Sequence, residues 1–155
     1  RLSEAGSAVV HCPTSNNFLG SGLFRLRHTT TGSAPVRVGV GCDIGGGMSY
    51  SMFDTLRDAY TVSQLVGSRI SAHEAFYRAT LGNARLLGFD ADAGTLEAGK
   101  YADLTVLDPA ATPLMAERHA LSNDLHDILF ALMILGDDRA VTETYVAGAP
   151  LKPQT

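Results

Sequence analysis

The sequence is poor in three features, each of which would have indicated a particular class of protein. It has only two cysteines, Cys12 and Cys42, and they do not form a CxxC pair. We therefore expect neither a disulfide framework nor a structural zinc site, and a reducing, cytoplasmic setting fits this composition. The formal net charge is -4, so we expect no binding of nucleic acid or of an anionic membrane. The longest apolar runs are too short to span a bilayer, and the first residues lack the apolar core of a signal peptide.

What remains is the composition of an ordinary globular protein. The chain has 155 residues, of which 45% are hydrophobic and 18% are charged. That length suits one domain. The sequence starts without methionine and reaches an apolar segment within a few residues, so we expect it to be part of a longer protein.

Two strands are predicted in the first part of the chain. Residues 7–10 are apolar and lead through His11 into the turn-rich stretch HCPTSNNFLGSG, which indicates a buried strand followed by a loop. The polar stretch RLRHTTTGSAP at 25–35 is typical of a surface connection. Residues 36–40 are the second predicted strand, with three valines on one face.

Helical spacing follows the second strand. Apolar residues recur every three to four positions over 52–65, where Ser49 or Ser51 can cap the helix. Another helix begins with a capping box at 71–74 and is predicted to end at Gly88. The repeated order of strand, loop and helix favours parallel βα units. Because two strands cannot form a covered parallel sheet alone, further strands are expected from elsewhere.

The character of the sequence changes after Gly88. Turn glycines and a predicted strand at 102–107 are typical of a β-rich segment. An amphipathic helix is predicted at 122–135, and the last strand, TETYVAGAP, is interrupted by a glycine. We therefore predict two parts: residues 1–90 contain the βα units, and residues 91–155 contain β-strands and an amphipathic helix.

The stretch VRVGVGCDIGGG contains the main candidate functional residue, Asp43. In α/β folds, ligands bind at the carboxyl ends of parallel strands, and a carboxylate there can ligate a metal or accept a proton from water. The alternative is that Asp43 caps the next helix or stabilises a turn, and spacing alone does not decide between these roles. The following glycines permit a sharp turn, but neither a Walker lysine nor GxGxxG is present, which argues against a phosphate loop.

His11 has the same predicted position at the end of the preceding strand. It is either a residue at the edge of the pocket or a histidine hydrogen-bonded to a neighbouring loop. Cys12 and Cys42 are expected to be small packing residues, because no adjacent base would activate either thiol. No two histidines have an i+2 or i+4 spacing that indicates a further site.

Four segments resemble, in this order, the carboxyl-terminal part of the metal-dependent amidohydrolases: HCPTSNNFLGSGLF, VGVGCDIGGG, ATLGNARLLG and GTLEAGKYADLTVLD. The last of them recurs throughout that superfamily. The first two narrow the resemblance to the branch of deaminases and chlorohydrolases. Together with FALMILGDDRAV they resemble the members of that branch that deaminate guanine, and the resemblance covers essentially the whole chain.

The resemblance implies an α/β fold, namely the carboxyl-terminal portion of an amidohydrolase (β/α)8 TIM barrel with part of an accessory β-sandwich. It implies one divalent metal, typically zinc, with Asp43 as a metal ligand and as the residue that relays protons from the attacking water. The implied reaction is the hydrolysis of guanine to xanthine and ammonia. A full-length protein of this kind is expected to be a homodimer.

The resemblance also limits what the chain can do alone. The other metal ligands of the family and its proton-transfer glutamate precede the matched segments, so we expect the isolated chain to be inactive. His11 matches a family histidine that is not a usual metal ligand, and Cys42 replaces a more usual threonine. We place His11 and Asn16 at the edge of the substrate pocket, with Ser15 and Asn16 positioning the loop.

Two alternatives to the deamination of guanine stay open. The substrate could be a different aminated or halogenated heterocycle, or the chain could be a non-catalytic module that packs against other chains.

Overall fold

The first sheet consists of two short parallel strands. The computed structural model describes residues 1–151, and in it β1 (Ala8–His11) pairs with β2 (Arg37–Val40) in the register that aligns Ala8 with Arg37 and His11 with Val40. Helices follow both strands, which confirms the prediction of parallel βα units. The prediction that the first strand is buried is wrong in part: Val10 is 48% exposed, because β2 is the only strand beside β1 within residues 1–151.

Helices account for most of the remaining regular structure. In chain order they are α1 (Pro13–Leu19), α2 (Leu26–Thr31), α3 (Met52–Leu65), α4 (Ala72–Tyr77), α5 (Asn83–Leu87), α6 (Pro113–Ala120) and α7 (Leu125–Leu135). None of the helices in the described range has the length and apolar character needed to cross a membrane.

The stretch after β1 is a helix, although the sequence predicts a loop there. Pro13 occupies the first turn of α1, where its missing N–H is not needed and its fixed φ suits a helix. Gly20 ends the helix in the left-handed conformation, with φ 67°. The residues interpreted as turn signals are therefore the start and stop signals of a short helix.

The polar stretch at 25–35 also contains a helix, so its prediction as a surface connection is wrong in part. Leu26 is only 4% exposed and anchors α2 in the core. The hydroxyls of Thr29, Thr30 and Thr31 each donate to the carbonyl four residues earlier. Threonines bonded in this way are compatible with a helix even though they lower its propensity.

The helices after β2 follow the prediction closely. Helix α3 begins after Ser51, although the side chain of Ser51 makes no capping hydrogen bond, and Leu65 at its end is 67% exposed. Helix α4 is capped as predicted, since the Ser71 hydroxyl accepts from the N–H of Glu74 at 3.1 Å. The predicted end at Gly88 is confirmed by its left-handed φ of 77°.

The segment between α4 and α5 departs from a regular helix. Residues 78–82 form a π-helical turn, Arg78–Gly82, in which Thr80 has non-helical angles of φ -118° and ψ -105°. Such turns insert one extra residue into a helix and shift the face that each later side chain occupies. The sequence gives a continuous helical pattern here, so it does not predict this shift.

The second sheet is antiparallel and has the order β3 (Leu104–Leu107), β4 (Val141–Val146) and β5 (Ala149–Pro150). Between β4 and β5, Ala147 and Gly148 both have positive φ, 49° and 79°, as a two-residue hairpin turn requires. The predicted strand at 102–107 is therefore confirmed, although it begins at Leu104, and the predicted interruption of the last strand is confirmed as well. Helix α6 is absent from the prediction, although Thr112 accepts from the N–H of Met115 as a cap and Pro113 begins the helix.

Helix α7 connects the two sheets through their cores. It begins at Leu125 after the cap Asp124, rather than at 122 as predicted. Met133 is fully buried in the cluster that contains Val38 of β2 and Leu56 of α3. Its neighbour Leu132 packs in a second cluster with Phe53, Met115 and Ala140. The division into residues 1–90 and 91–155 stays a prediction, and α7 packs on the first of these parts.

Candidate functional site at the carboxyl ends of the first sheet

The parallel pairing of β1 and β2 places the ends of both strands at one edge of the first sheet. The N–H of Gly41 donates to the carbonyl of His11 at 3.1 Å, so the strands are still joined where they end. Beyond that point the hydroxyl of Thr14 donates to the carbonyl of Cys42 at 3.4 Å. Helix α1 therefore packs its first turn against the loop that carries Asp43.

Asp43 lies in a tight turn with a left-handed backbone. Its φ is 50°, a conformation that aspartate tolerates better than most residues. The N–H groups of Gly46 and Gly47 both donate to the Asp43 carbonyl, at 3.0 and 2.6 Å. The turn is thus closed by backbone groups, and the Asp43 side chain is not needed to form it.

Neighbouring atoms crowd two glycines of this loop, and at Gly47 the crowding atom belongs to the backbone. A Cβ on Gly46 would stand 2.9 Å from the Ser15 hydroxyl oxygen and 3.0 Å from Oδ2 of Asp43. A Cβ on Gly47 would collide with the carbonyl oxygen of Cys42. These glycines therefore allow the loop to fold back onto itself and onto α1.

The Asp43 carboxylate is exposed and has free lone pairs. No hydrogen bond to it is found among residues 1–151. It does not cap the next helix, because α3 is preceded by Ser51. Of the alternatives that the sequence leaves open, the helix cap is excluded, and the role of metal ligand stays a prediction.

Asp43 can supply one metal ligand, but the side chains around it do not complete a metal site. Nowhere in the described range do three or more histidine, cysteine or acidic side chains group closely enough to hold an ion. Burial first, and then the charges of Asp43 and Cys42, raise the pKa of the Cys12 thiol. Cys12 is therefore a neutral thiol at pH 7 and suits the predicted packing role better than that of a thiolate ligand.

His11, the last residue of β1, is buried and not open to solvent at the strand end. Its side chain is 2% exposed and stacks on Phe24 with ring centroids 4.9 Å apart. Its Nδ1 has no hydrogen-bond partner in the part of the chain that the structure describes. Burial, and secondarily the charge of Arg78, lower the pKa of His11 to about 4, so the ring is neutral at pH 7.

The predicted loop-positioning residues differ in what they contact. Ser15 is buried and its hydroxyl faces Gly46, whereas Asn16 is half-buried and its main-chain carbonyl accepts from the N–H of Ser21. Thr14, which the sequence analysis did not single out, makes the direct hydrogen bond to the loop. The recognition of Pro13 as a helix start would have placed Thr14 and Ser15 in the first turn of α1.

Two more residues at β2 were missed by the sequence analysis. The side-chain amide of Asn83 donates to the carbonyl of Val40 at 2.8 Å and accepts from the N–H of the same residue at 3.1 Å. Arg78 donates to the carbonyl of Val38 at 2.9 Å. These contacts join residues about forty positions apart, and no local pattern indicates them.

The structure also joins two histidines that the sequence does not link. Nδ1 of His73 and Nδ1 of His126 lie 3.2 Å apart, and the two rings are within 15° of parallel. One ring donates its N–H and the other accepts it, so the contact ties the start of α4 to the start of α7.

The chain matches the Amidohydrolase family over residues 1–151, and it belongs to that family. The matched range includes the Asp43 loop, both sheets and α7.

Particular members of the family are similar over nearly the whole chain. The guanine deaminase of Escherichia coli (strain K12) is 51% identical over 148 residues, which cover 96% of this chain and 33% of that protein. The structure of E. coli guanine deaminase superposes with a TM-score of 0.94 and 49% identity, covering 100% of this chain and 36% of the other. A zinc-bound adenosine deaminase from Xanthomonas campestris matches with a TM-score of 0.75 and 32% identity, covering 96% of this chain and 32% of the other.

Two facts follow from these similarities. The mixed α/β arrangement matches that of the guanine deaminase structure, as the sequence resemblance implies. The chain spans about one third of the length of the curated relatives it matches, since 33% of the E. coli protein is covered.

Proposed function

We propose that this chain is the carboxyl-terminal part of a zinc-dependent guanine deaminase, which hydrolyses guanine to xanthine and ammonia. The single observation that carries the proposal is the exposed, unbonded carboxylate of Asp43 at the carboxyl end of β2, in a chain that is 51% identical to E. coli guanine deaminase. The coverage of about one third of that relative supports the view that other parts of a longer protein complete the site.

Asp43 fits a divalent metal as one of several ligands. Its carboxylate offers two free oxygens on a short side chain, held by a backbone turn that the side chain does not form. Zinc in the similar adenosine deaminase supports the choice of metal. Bound there, the metal would lower the pKa of a water molecule so that a nucleophile is available near neutral pH. The other ligands and a proton-transfer glutamate would come from outside this chain.

The chemical role of Asp43 is to move a proton. It takes a proton from the water that adds to C2 of guanine, and it delivers a proton to the exocyclic nitrogen as the bond between C2 and that nitrogen breaks. Guanine and water thereby give xanthine and ammonia with no other reactant. Ser15 and Thr14 contribute by holding the loop that carries Asp43. Asn16 lies at the rim of the pocket, and the buried ring of His11 packs behind that rim.

The same proposal accounts for the two sheets. The parallel pair β1 and β2 would be the last strands of a (β/α)8 barrel, and β3, β4 and β5 would belong to an accessory β-sandwich. The parallel sheet and the helices that follow it end with α5 at Leu87, and the antiparallel sheet begins with β3 at Leu104, which supports a division near residue 90. We further propose that the full-length enzyme is a cytoplasmic homodimer.

The test uses the complete gene product that contains this chain, purified with zinc. Asp43→Asn keeps the size of the side chain and removes its charge, so kcat for guanine is expected to fall about 10³-fold, within the range of general acid–base catalysis. Asp92→Asn is the matched control, because Asp92 is also an exposed aspartate but lies outside the loop, and it should change kcat less than twofold. An unchanged rate in Asp43→Asn would remove Asp43 from the mechanism.

A second candidate is another aminated or halogenated heterocycle as substrate. The similarity to an adenosine deaminase at 32% identity favours this alternative. Release of ammonia or chloride from guanine, adenosine, an aminopyrimidine and a chlorotriazine decides between the candidates. A wild-type protein that is inactive on guanine and active on another member of this panel would replace the first proposal with the second.

A further inference from the structure

Within residues 1–151, two side chains bond the edge of β2 that faces away from β1. The N–H of Gly41 points to β1, where it donates to His11. Because residues of a strand alternate in the direction of their backbone groups, Val38 and Val40 present theirs to the opposite edge. There the Val38 carbonyl accepts from Arg78, and the Val40 carbonyl and N–H both bond to Asn83.

The side-chain amide of Asn83 bonds both backbone groups of Val40 at this edge of β2. A side-chain amide offers one acceptor and one donor side by side, as a peptide group does, so it can satisfy both backbone groups of a single residue. The two distances, 2.8 and 3.1 Å, are those of ordinary hydrogen bonds. The end of β2 is therefore held from both sides, by the His11 carbonyl and by the Asn83 amide.

The π-helical turn explains how Arg78 and Asn83 reach the same strand. Residues five apart on a regular α-helix lie about 140° apart around its axis, so they face different directions. The segment Arg78–Gly82 is kinked instead, since Thr80 has non-helical angles of φ -118° and ψ -105°. This kink between α4 and α5 lets Arg78 bond the carbonyl of Val38 and Asn83 bond Val40 on the same edge of β2. Glu74, one turn earlier, holds Arg78 through an ion pair of 2.8 Å.

The contact between Asn83 and Val40 also depends on the glycine at position 39. Gly39 is buried, and a Cβ at this position would collide with Oδ1 of Asn83 and stand 3.4 Å from Leu86. Only a residue without a side chain lets α5 approach the strand closely enough for the Asn83 amide to reach Val40. Two local peculiarities, a π-turn and a glycine within a strand, therefore serve the same contact.

We propose that Asn83 is a positioning residue for Asp43. It fixes Val40, and Asp43 follows three residues later, after Gly41 has made the last hydrogen bond to β1. With the strand end clamped, the left-handed turn holds the backbone of Asp43 in one place, so its short side chain reaches a limited region. The proposal rests on the proposed role of Asp43 as a metal ligand, and it adds that the position of this ligand is set by a residue on α5.

The experiment measures zinc affinity and kinetics of the complete gene product with changes at Asn83. Asn83→Ala removes both hydrogen bonds, and Asn83→Asp keeps the acceptor but loses the donor to the Val40 carbonyl. Loss of a partner that orients a metal ligand lowers metal affinity about 10- to 100-fold. We expect both variants to show at least a tenfold weaker zinc affinity in competition with a chromophoric chelator. The kcat for guanine should fall about tenfold, while KM stays within twofold.

Gly39→Ala displaces Asn83 without changing it, and it should give the same weakening of zinc binding. Asn123→Ala is the matched control, since Asn123 bonds Asp127 at the start of α7, and it should leave zinc affinity and kcat unchanged. If the Asn83 variants lower only the melting temperature, and bind zinc as tightly as the wild type below it, Asn83 supports the fold alone and the proposal is overturned. The same conclusion holds if Gly39→Ala folds and binds zinc normally.

The readouts separate this inference from the proposed function. If the wild type binds zinc but does not deaminate guanine, the proposed substrate fails, while weaker zinc binding in the Asn83 variants still supports the positioning role. If guanine is deaminated at the same rate with and without Asn83, and zinc affinity is equal, the function stands and the inference is overturned. Should Asn83→Ala not fold, Asn83→Asp and Gly39→Ala provide the decisive measurements.

Discussion

The two neighbouring strand ends of the first sheet carry titratable groups of opposite character. At the end of β2, Asp43 is exposed, and at the end of β1, His11 is 2% exposed. Within residues 1–151, neither the Asp43 carboxylate nor Nδ1 of His11 has a hydrogen-bond partner. The lone pairs of the exposed Asp43 carboxylate are open to a ligand. Burial, and secondarily the charge of Arg78, lower the pKa of the His11 imidazole, so the ring stays neutral and serves packing.

The largest effect on stability is expected from the protonation of the buried His11. The pKa of His11 in the folded protein is about 4, below its ordinary value of 6.5, because the ring is buried and near Arg78. The unfolded chain therefore binds a proton more readily, so stability is complete above pH 6.5 and declines as the pH falls toward 4. The decline amounts to about 3 kcal/mol.

Urea unfolding of the complete gene product at pH values from 4 to 7 measures this decline. His11→Phe can still pack against Phe24, and it cannot take up a proton. The difference in unfolding free energy between wild type and variant should therefore shrink by about 3 kcal/mol from pH 7 to pH 4. A difference that does not depend on pH would show that His11 is as accessible as Asp43, and the comparison would fail.

The next largest effect on stability is expected in the loop that carries the exposed Asp43. Gly47→Ala places a Cβ against the Cys42 carbonyl, which belongs to the backbone and can move only with the loop. We expect a loss of about 2 kcal/mol, typical of overpacking, together with weaker zinc binding. Gly45→Ala is the control, since nothing lies within 4 Å of its added Cβ and only the strain of φ +105° remains. Equal effects of the two changes on zinc affinity would contradict the role assigned to close approach at Gly47.

The smallest effect is expected at the contact between α1 and the loop. Thr14→Val removes the hydroxyl that donates to the Cys42 carbonyl at 3.4 Å and keeps the shape of the side chain. A hydrogen bond of this kind contributes about 1 kcal/mol. Thermal unfolding of the complete gene product should show this loss, whereas Thr61→Val, which removes a hydroxyl bonded within α3, should have a smaller effect. A larger effect at Thr61 would mean that α1 does not hold the loop.

Local signals in the sequence explain which parts of the fold could be predicted. The alternation of valine and glycine identifies β2, the Ser71 cap identifies the start of α4, and Gly88 identifies the end of α5. Helices α1 and α6 were missed because each is short and begins with a proline, which was interpreted as a turn residue or passed over. In short helices the end signals outweigh the periodicity, so a search for periodicity does not find them.

The candidate site was predictable only where its residues are adjacent in sequence. Asp43 stands out because it follows an apolar strand and precedes three glycines. Asn83 does not stand out, because its partner Val40 lies 43 positions away and the contact depends on the π-turn. The contact between His73 and His126 spans 53 positions and depends on the packing of α4 on α7. Tertiary contacts of this kind leave no periodic trace in one sequence.

The adjacent residues Leu132 and Met133 of α7 belong to two different hydrophobic clusters. One residue corresponds to a rotation of about 100° around a helix. A deletion or insertion of a single residue before Leu132 would therefore turn the wrong side chains toward both clusters at once. Substitutions in α7 can be absorbed locally, but changes of its length cannot, so evolution should keep the number of residues between Asp124 and Gly136 constant while their identities vary.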